Sequence, residues 1–202
     1  MKNNVLAGLV AGMFLICMVG TSSASLIQNG TFDTDLLGWT QVGPNRVVDG
    51  GAQVGAPGAT ENSSITQSFT IDQSTSAVSI GFDYLWVGNA ATNLADIFTA
   101  KFSYLDSTDM WNEIILVDET NYVGSFISTT FLDNQYLLPS LSLSGPNAKI
   151  EFALIESLST DTQGTRINLD NVVVAPVPEP STLLLLGSGL AGLAWYGRKR
   201  KK

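Results

Sequence analysis

Chemistry on this chain has to come from carboxylates, backbone oxygens and aromatic rings. Its 202 residues include no histidine, and the single cysteine, Cys17, lies within the first twenty positions. These absences remove Ser-His-Asp and Cys-His catalysis, zinc sites built on imidazole or thiolate, and any intramolecular disulfide. Acids are plentiful, and hard carboxylate oxygens suit a divalent cation such as calcium. Two correctly spaced acids are also all that a glycosidase needs. Chance pairs abound among so many acids, however, and nothing singles out a pair such as Glu113 and Glu151, so no catalytic residue is expected. Sugar binding needs exposed flat rings flanked by hydrogen-bonding groups. The available rings are Trp86, Tyr104, Trp111, Tyr122 and Tyr136, and period-two placement sends Tyr104 and Trp86 to the core, with Trp39. Trp111 and Tyr122 stand beside polar, turn-like sequence, which makes them the candidates for stacking on a sugar.

The elements that must position these residues are strands. Val78, Ile80, Phe82, Tyr84 and Trp86 share one face, while Ser79, Gly81 and Asp83 share the other. Phe98, Ala100, Phe102 and Tyr104 repeat the alternation, as do Ile150, Phe152 and Leu154. Further strands are expected over Ile65–Ile71, Trp111–Val117, Phe126–Phe131, Leu137–Leu143 and Arg166–Val174. The central region shows no helical stripe. Eight or nine short strands, each with one buried face, predict an all-β antiparallel two-sheet sandwich of the jelly-roll kind. The Asn-x-Ser/Thr triplets at Asn29 and Asn62 read as turn chemistry.

Both ends of the chain are apolar. Lys2, the run Val5–Val19 and the small set Thr21–Ala24 form the three parts of a secretory signal peptide, whose removal leaves Ser25 first. Ile16 is too large to precede a lipidated Cys17. At the other end Pro178-Glu179-Pro180 leads into an apolar run from Leu183 to Tyr196 and then Arg198 to Lys202. At about 1.5 Å per residue that run reaches only about 21 Å as a helix, a marginal membrane span. The terminal cations favour the cytoplasmic side and place the preceding domain outside. The expected division is therefore 1–24 signal peptide, 25–176 sandwich and 177–202 tail. Between Ser25 and Val177 four cations (Arg46, Lys101, Lys149, Arg166) face seventeen acids, a net charge of −13. Such a domain repels nucleic-acid phosphates, which excludes that class of partner.

The tail, with Val177-Pro178-Glu179-Pro180-Ser181-Thr182 before an apolar helix and a basic cluster, resembles the PEP-CTERM sorting signal. The resemblance implies signal peptidase and an exosortase as processing partners. It also implies a stay in the membrane through the C-terminal helix, then release or attachment at the cell surface, in association with extracellular polysaccharide and biofilm. A plain single-pass anchor is the alternative. A second resemblance lies at the edges of the domain. Leu26-Ile27-Gln28-Asn29-Gly30-Thr31-Phe32-Asp33 with Gly38-Trp39, and Ile167-Asn168-Leu169-Asp170-Asn171-Val172-Val173-Val174, are similar to the opening and closing segments of galactose-binding-like carbohydrate-binding modules. That likeness implies neighbouring chain ends and a structural calcium held by Thr31, Asp33 and Asp170, with Asp49 as a further ligand. Two functions follow: a non-catalytic exported surface or matrix protein, or a carbohydrate-binding module recognising a polysaccharide.

Overall fold

The computed structural model describes residues 24–57, 61–87, 96–121, 128–141, 145–156, 165–177 and 187–190, with backbone alone at 121 and 128–136. Ten strands run through Ser25–Pro176, which forms one compact unit. They are β1 (Thr40–Val42), β2 (Asn45–Val48), β3 (Gly51–Val54), β4 (Ser63–Phe69), β5 (Ala77–Val87), β6 (Asp96–Leu105), β7 (Trp111–Asn121), β8 (Ser128–Leu137), β9 (Ala148–Ile155) and β10 (Arg166–Pro176). The first sheet has the order β1-β4-β9-β6-β7 and the second β2-β3-β10-β5-β8. All pairings are antiparallel. The chain passes from one sheet to the other at almost every connection, which wraps it as a jelly-roll sandwich. Met1–Ala24 and Val177–Lys202 fall outside this unit. Of the apolar run near the C-terminus only 187–190 are described, and these are helical. Among the described residues no helix is long and apolar enough to cross a membrane.

The alternation read from the sequence is the alternation of burial. Val78, Ile80, Phe82, Tyr84 and Trp86 of β5 all point into the core. They meet Phe98, Ala100 and Phe102 of β6 and Ile150, Phe152 and Leu154 of β9. Phe82 meets Phe152 edge to face at 5.0 Å between centroids, and Trp86 meets Phe98 the same way at 6.1 Å, the geometry aromatic quadrupoles favour. Trp39, Trp86 and Tyr104 are buried as expected.

Two strand expectations need correction. Of the expected strands Phe126–Phe131 and Leu137–Leu143, residues 126–127 and 142–143 lie outside the described residues, and the described parts do not form two strands. One strand, Ser128–Leu137, pairs with β5 along its length through a bulge between Ile80 and Phe82. It ends just before Pro139, which has no N–H to continue a ladder. Leu141 keeps only an isolated bridge to Asp106. The short strands β1, β2 and β3 went unanticipated because three or four residues are too few to display a period of two.

Two buried amides complete the edges of the first sheet. Asn147, fully buried, accepts from Ile71 N at 2.8 Å and donates to Ile71 O at 2.8 Å. Gln67 does the same for Gln28, with bonds of 2.7 and 2.8 Å. Each side chain thus imitates a strand partner where no strand is present, and satisfies backbone groups whose burial unpaired would cost about 1–3 kcal/mol each. On the other side of the opening segment, Leu26 N donates to Val174 O and Val172 N donates to Gly30 O. Residues 26–30 therefore fasten both sheets, and the two ends of the domain lie side by side.

Candidate functional site

The outward face of the first sheet gathers side chains from all five of its strands. Its rows follow from strand register. One runs Thr40, Thr66, Glu151, Lys101, Ile115, and the next runs Ser68, Lys149, Ser103, Glu113. Trp111 stands at the end of β7, 52% exposed. Lys149 Nζ reaches across the strand of the small Ser103 to lie 5.5 Å from the Trp111 ring centroid, within cation–π range. Lys101 Nζ pairs with Glu113 Oε1 at 3.1 Å, with the two side chains 31% and 50% exposed. An ion pair so open to water contributes about 0–1 kcal/mol, so polar groups of a ligand can exchange into it cheaply. Thr66 Oγ1 donates to Glu151 Oε2 at a long 3.4 Å. Ile115 and Val42 add exposed apolar surface on the same face. The result is a flat floor of hydroxyls, two ammonium groups and two carboxylates, with an indole at one edge.

Trp111 is held by the turn before it. Asp106 accepts from Thr108 N at 2.8 Å, from Thr108 Oγ1 at 2.6 Å, from Met110 N at 3.1 Å and from Asn112 Nδ2 at 2.8 Å. Four donors converge on one carboxylate, so its charged form is favoured. The Thr108 and Asn112 side chains, then the Thr108 and Met110 amides, lower its pKa from 3.8 to about 2. Met110 and Asn112 flank Trp111, so one acid holds the backbone before the indole and the side chain after it.

Of the four residues implied as calcium ligands, Asp49 lies in the β2–β3 turn and Asp170 in the middle of β10, while Thr31 and Asp33 lie on the opening segment. Register carries Leu169 opposite Ala52, which places Asp170 beside Gly51 at the end of β3. Asp49 and Gly50 form the tight turn between β2 and β3, with φ of 53° and 79°. Both values are left-handed, as a two-residue hairpin requires. Asp49 is therefore a turn residue first. Thr31 Oγ1 donates to Asp33 Oδ2 at 2.9 Å on the exposed segment beside Gly30. Asp170 Oδ1 accepts from Asn171 N at 2.7 Å, and Asn171 Nδ2 donates to Asp83 Oδ2 at 2.8 Å. Among the described residues no three acids gather closely enough to hold a metal by themselves, so carbonyl oxygens would have to supply most of a calcium shell.

Tyr122 and the motif Pro178, Glu179, Pro180 lie outside the described residues. Glu113 and Glu151 share the outward face, but each is already engaged, with Lys101 and Thr66. Sequence reasoning missed Lys101 and Lys149 as members of the site, although their polar positions between Phe98, Phe102, Ile150 and Phe152 placed them opposite the core. Asn29 does local turn work, its Nδ2 donating to Asp35 O at 2.8 Å. Asn62 instead ties two distant segments, its Oδ1 accepting from Glu156 N at 3.0 Å.

Residues 176–201 match the family model of the PEP-CTERM protein-sorting motif, so the tail is that motif, a mark of exported proteins with C-terminal sorting. A comparison with curated proteins gives no match. Among solved structures, the chain is similar to the CBM22-1 xylan-binding domain from Paenibacillus barcinonensis Xyn10C. That likeness has 14% identity and a TM-score of 0.48, over 80% of this chain and 99% of that one. It is also similar to the N-terminal cellulose-binding domain from Cellulomonas fimi beta-1,4-glucanase C, with 16% identity and a TM-score of 0.45, over 77% and 99%. The enzymatically active domain of bacteriophage CBA120 tailspike protein 4 matches with 18% identity and a TM-score of 0.47, over 76% of this chain. This chain spans about a fifth of the tailspike's length (21%).

Proposed function

We propose that the protein is a non-catalytic exported surface or matrix component, sorted by an exosortase and retained among extracellular polysaccharide by weak binding on its first sheet. The observation that carries the binding is the outward face itself: an exposed indole, fixed by the Asp106 turn, beside a floor of hydroxyls and loosely engaged charges. A sugar ring offers an apolar C–H face to the indole and hydroxyls to the neighbouring Lys149 and Glu113, and further rings of the same glycan chain extend over Lys101, Glu151 and Thr66. Lys149, now above the ring, moves aside or donates to the same sugar. The finer points, the matrix association and passage through a membrane-anchored stage, are supported by the sorting motif, the apolar run and the basic tail.

Glycan-array binding followed by titration tests this reading. Trp111→Ala is expected to weaken binding of any captured neutral glycan at least tenfold, about 1.4 kcal/mol, with the fold intact by circular dichroism. Absence of saturable binding to every glycan, or unchanged affinity in the variant, would remove the polysaccharide half of the proposal.

Structural calcium belongs to the same reading. Asp33 and Asp170 lie on the two end segments that Val172 and Gly30 join, and an ion held by them with the Thr31 carbonyl would tighten that junction, Asp49 adding a ligand from its turn. Calcium at millimolar concentration is expected to raise the melting temperature by a few degrees, and EDTA to reverse it. Identical melting curves with and without chelator would eliminate the ion.

A further inference from the structure

The second sheet carries a polar row of its own. Arg46, Gln53, Asn168 and Leu85 stand opposite one another in successive strands β2, β3, β10 and β5. Their core-facing neighbours Ala52, Val54, Ile167, Leu169, Tyr84 and Trp86 are buried, so the row faces outward. Arg46 Nε donates to Gln53 Oε1 at 2.9 Å, and Gln53 Nε2 donates to Asn168 Oδ1 at 2.8 Å. Gln53 is only 4% exposed, a buried amide fixed on both sides. The guanidinium is thereby anchored through Nε, with its terminal nitrogens outside that bond. Lys101 has its carboxylate partner; among the described residues Arg46 has none. In a domain with seventeen acids and four cations, a guanidinium oriented by a buried amide and left without an acid is a built anion site rather than a merely solvated charge. The amide nitrogen of Asn168 also has no partner among the described residues, and Leu85 is partly exposed beside it.

We propose that this outward face binds a carboxylate-bearing glycan, with the Arg46 terminal nitrogens taking a uronate carboxylate at two points and the Asn168 amide donating to a neighbouring hydroxyl. The choice of a glycan rests on the reading of the first sheet; the anion site does not. The net charge of −13 repels a densely charged polymer, so the ligand carries isolated uronates between neutral sugars.

The probes are a glucose–glucuronate tetrasaccharide, its carboxyl-reduced counterpart and a short glutamate peptide. They are titrated by calorimetry at 0.15 M salt into the full chain in detergent. The wild type is expected to prefer the acidic sugar over the reduced one at least tenfold. Arg46→Gln abolishes that ratio and Arg46→Lys keeps part of it, since a lysine supplies charge without the two-point fork. Trp111→Ala weakens the reduced sugar and leaves binding of the acidic sugar at Arg46 in place, so the ratio is kept or raised. Equal affinities in the wild type, or a ratio that survives in Arg46→Gln, overturns the site. A ratio lost in Trp111→Ala moves the preference to the first sheet and overturns it too. Peptide bound as tightly as the acidic sugar overturns the glycan assignment. Loss of reduced-sugar binding in Trp111→Ala bears on the first sheet alone, which keeps the two readings separable.

Discussion

At the scale of single residues, polar side chains do backbone work. Asn147 and Gln67 substitute for missing strands, and Asp106 gathers four donors to shape the turn ahead of Trp111. Asp106 gives this arrangement a pH signature. Its folded pKa, about 2, lies below the ordinary 3.8. Its contribution to stability is therefore complete above the unfolded value, and it is lost as pH falls from there through the folded one. Urea unfolding between pH 5 and pH 2 is expected to show a steeper acid loss for wild type than for Asp106→Ala. Parallel slopes would mean that the carboxylate is not engaged in solution.

Among the elements, the decisive one is not a strand at all. Residues 26–30 bend along the edge of the sandwich, tied to β4 through the Gln67 amide and to β10 through backbone bonds. Gly30 is required there because a Cβ at that position would run into the Val172 carbonyl oxygen, a contact with backbone that no rotamer can relieve. Gly30→Ala is expected to destabilise the protein by about 2–4 kcal/mol, combining overpacking with the lost Val172–Gly30 bond. Chemical denaturation should show a lower midpoint at unchanged slope. A midpoint within error of wild type would show that the opening segment is not docked against β10.

For the molecule as a whole, an acidic sandwich lies between two apolar ends. Four cations divide evenly between the two outward faces: Lys101 and Lys149 on the first sheet, Arg46 and Arg166 on the second. Everything else that carries charge in the domain is negative, which favours solubility after export and leaves the cations as the places where acidic or hydroxylated ligands can approach. Sorting gives the prediction at this scale. Protein recovered from the native cell surface is expected to end near Pro178 to Ser181 by mass spectrometry, and a C-terminus intact to Lys202 would indicate a permanent anchor instead.

The sequence by itself determined the sandwich, most of its longer strands, the fate of Trp39, Trp86 and Tyr104, and the sorting tail. Period-two burial and a linear peptide signal are both local patterns, readable along the chain. It singled out Trp111 as an exposed ring by its polar surroundings but not the Lys149 that covers it, nor Lys101 with Glu113, because these residues meet through strand register. It also divided β8 in two, since hydrophobic pattern alone does not show that pairing with β5 continues up to Pro139. The row Arg46, Gln53 and Asn168 was invisible for the same reason in stronger form: two of its strands are too short to leave a pattern, and the third lies more than a hundred positions away. Only tertiary structure decides which residues stand opposite one another, because cross-strand contact is a property of register between segments and not of spacing within one.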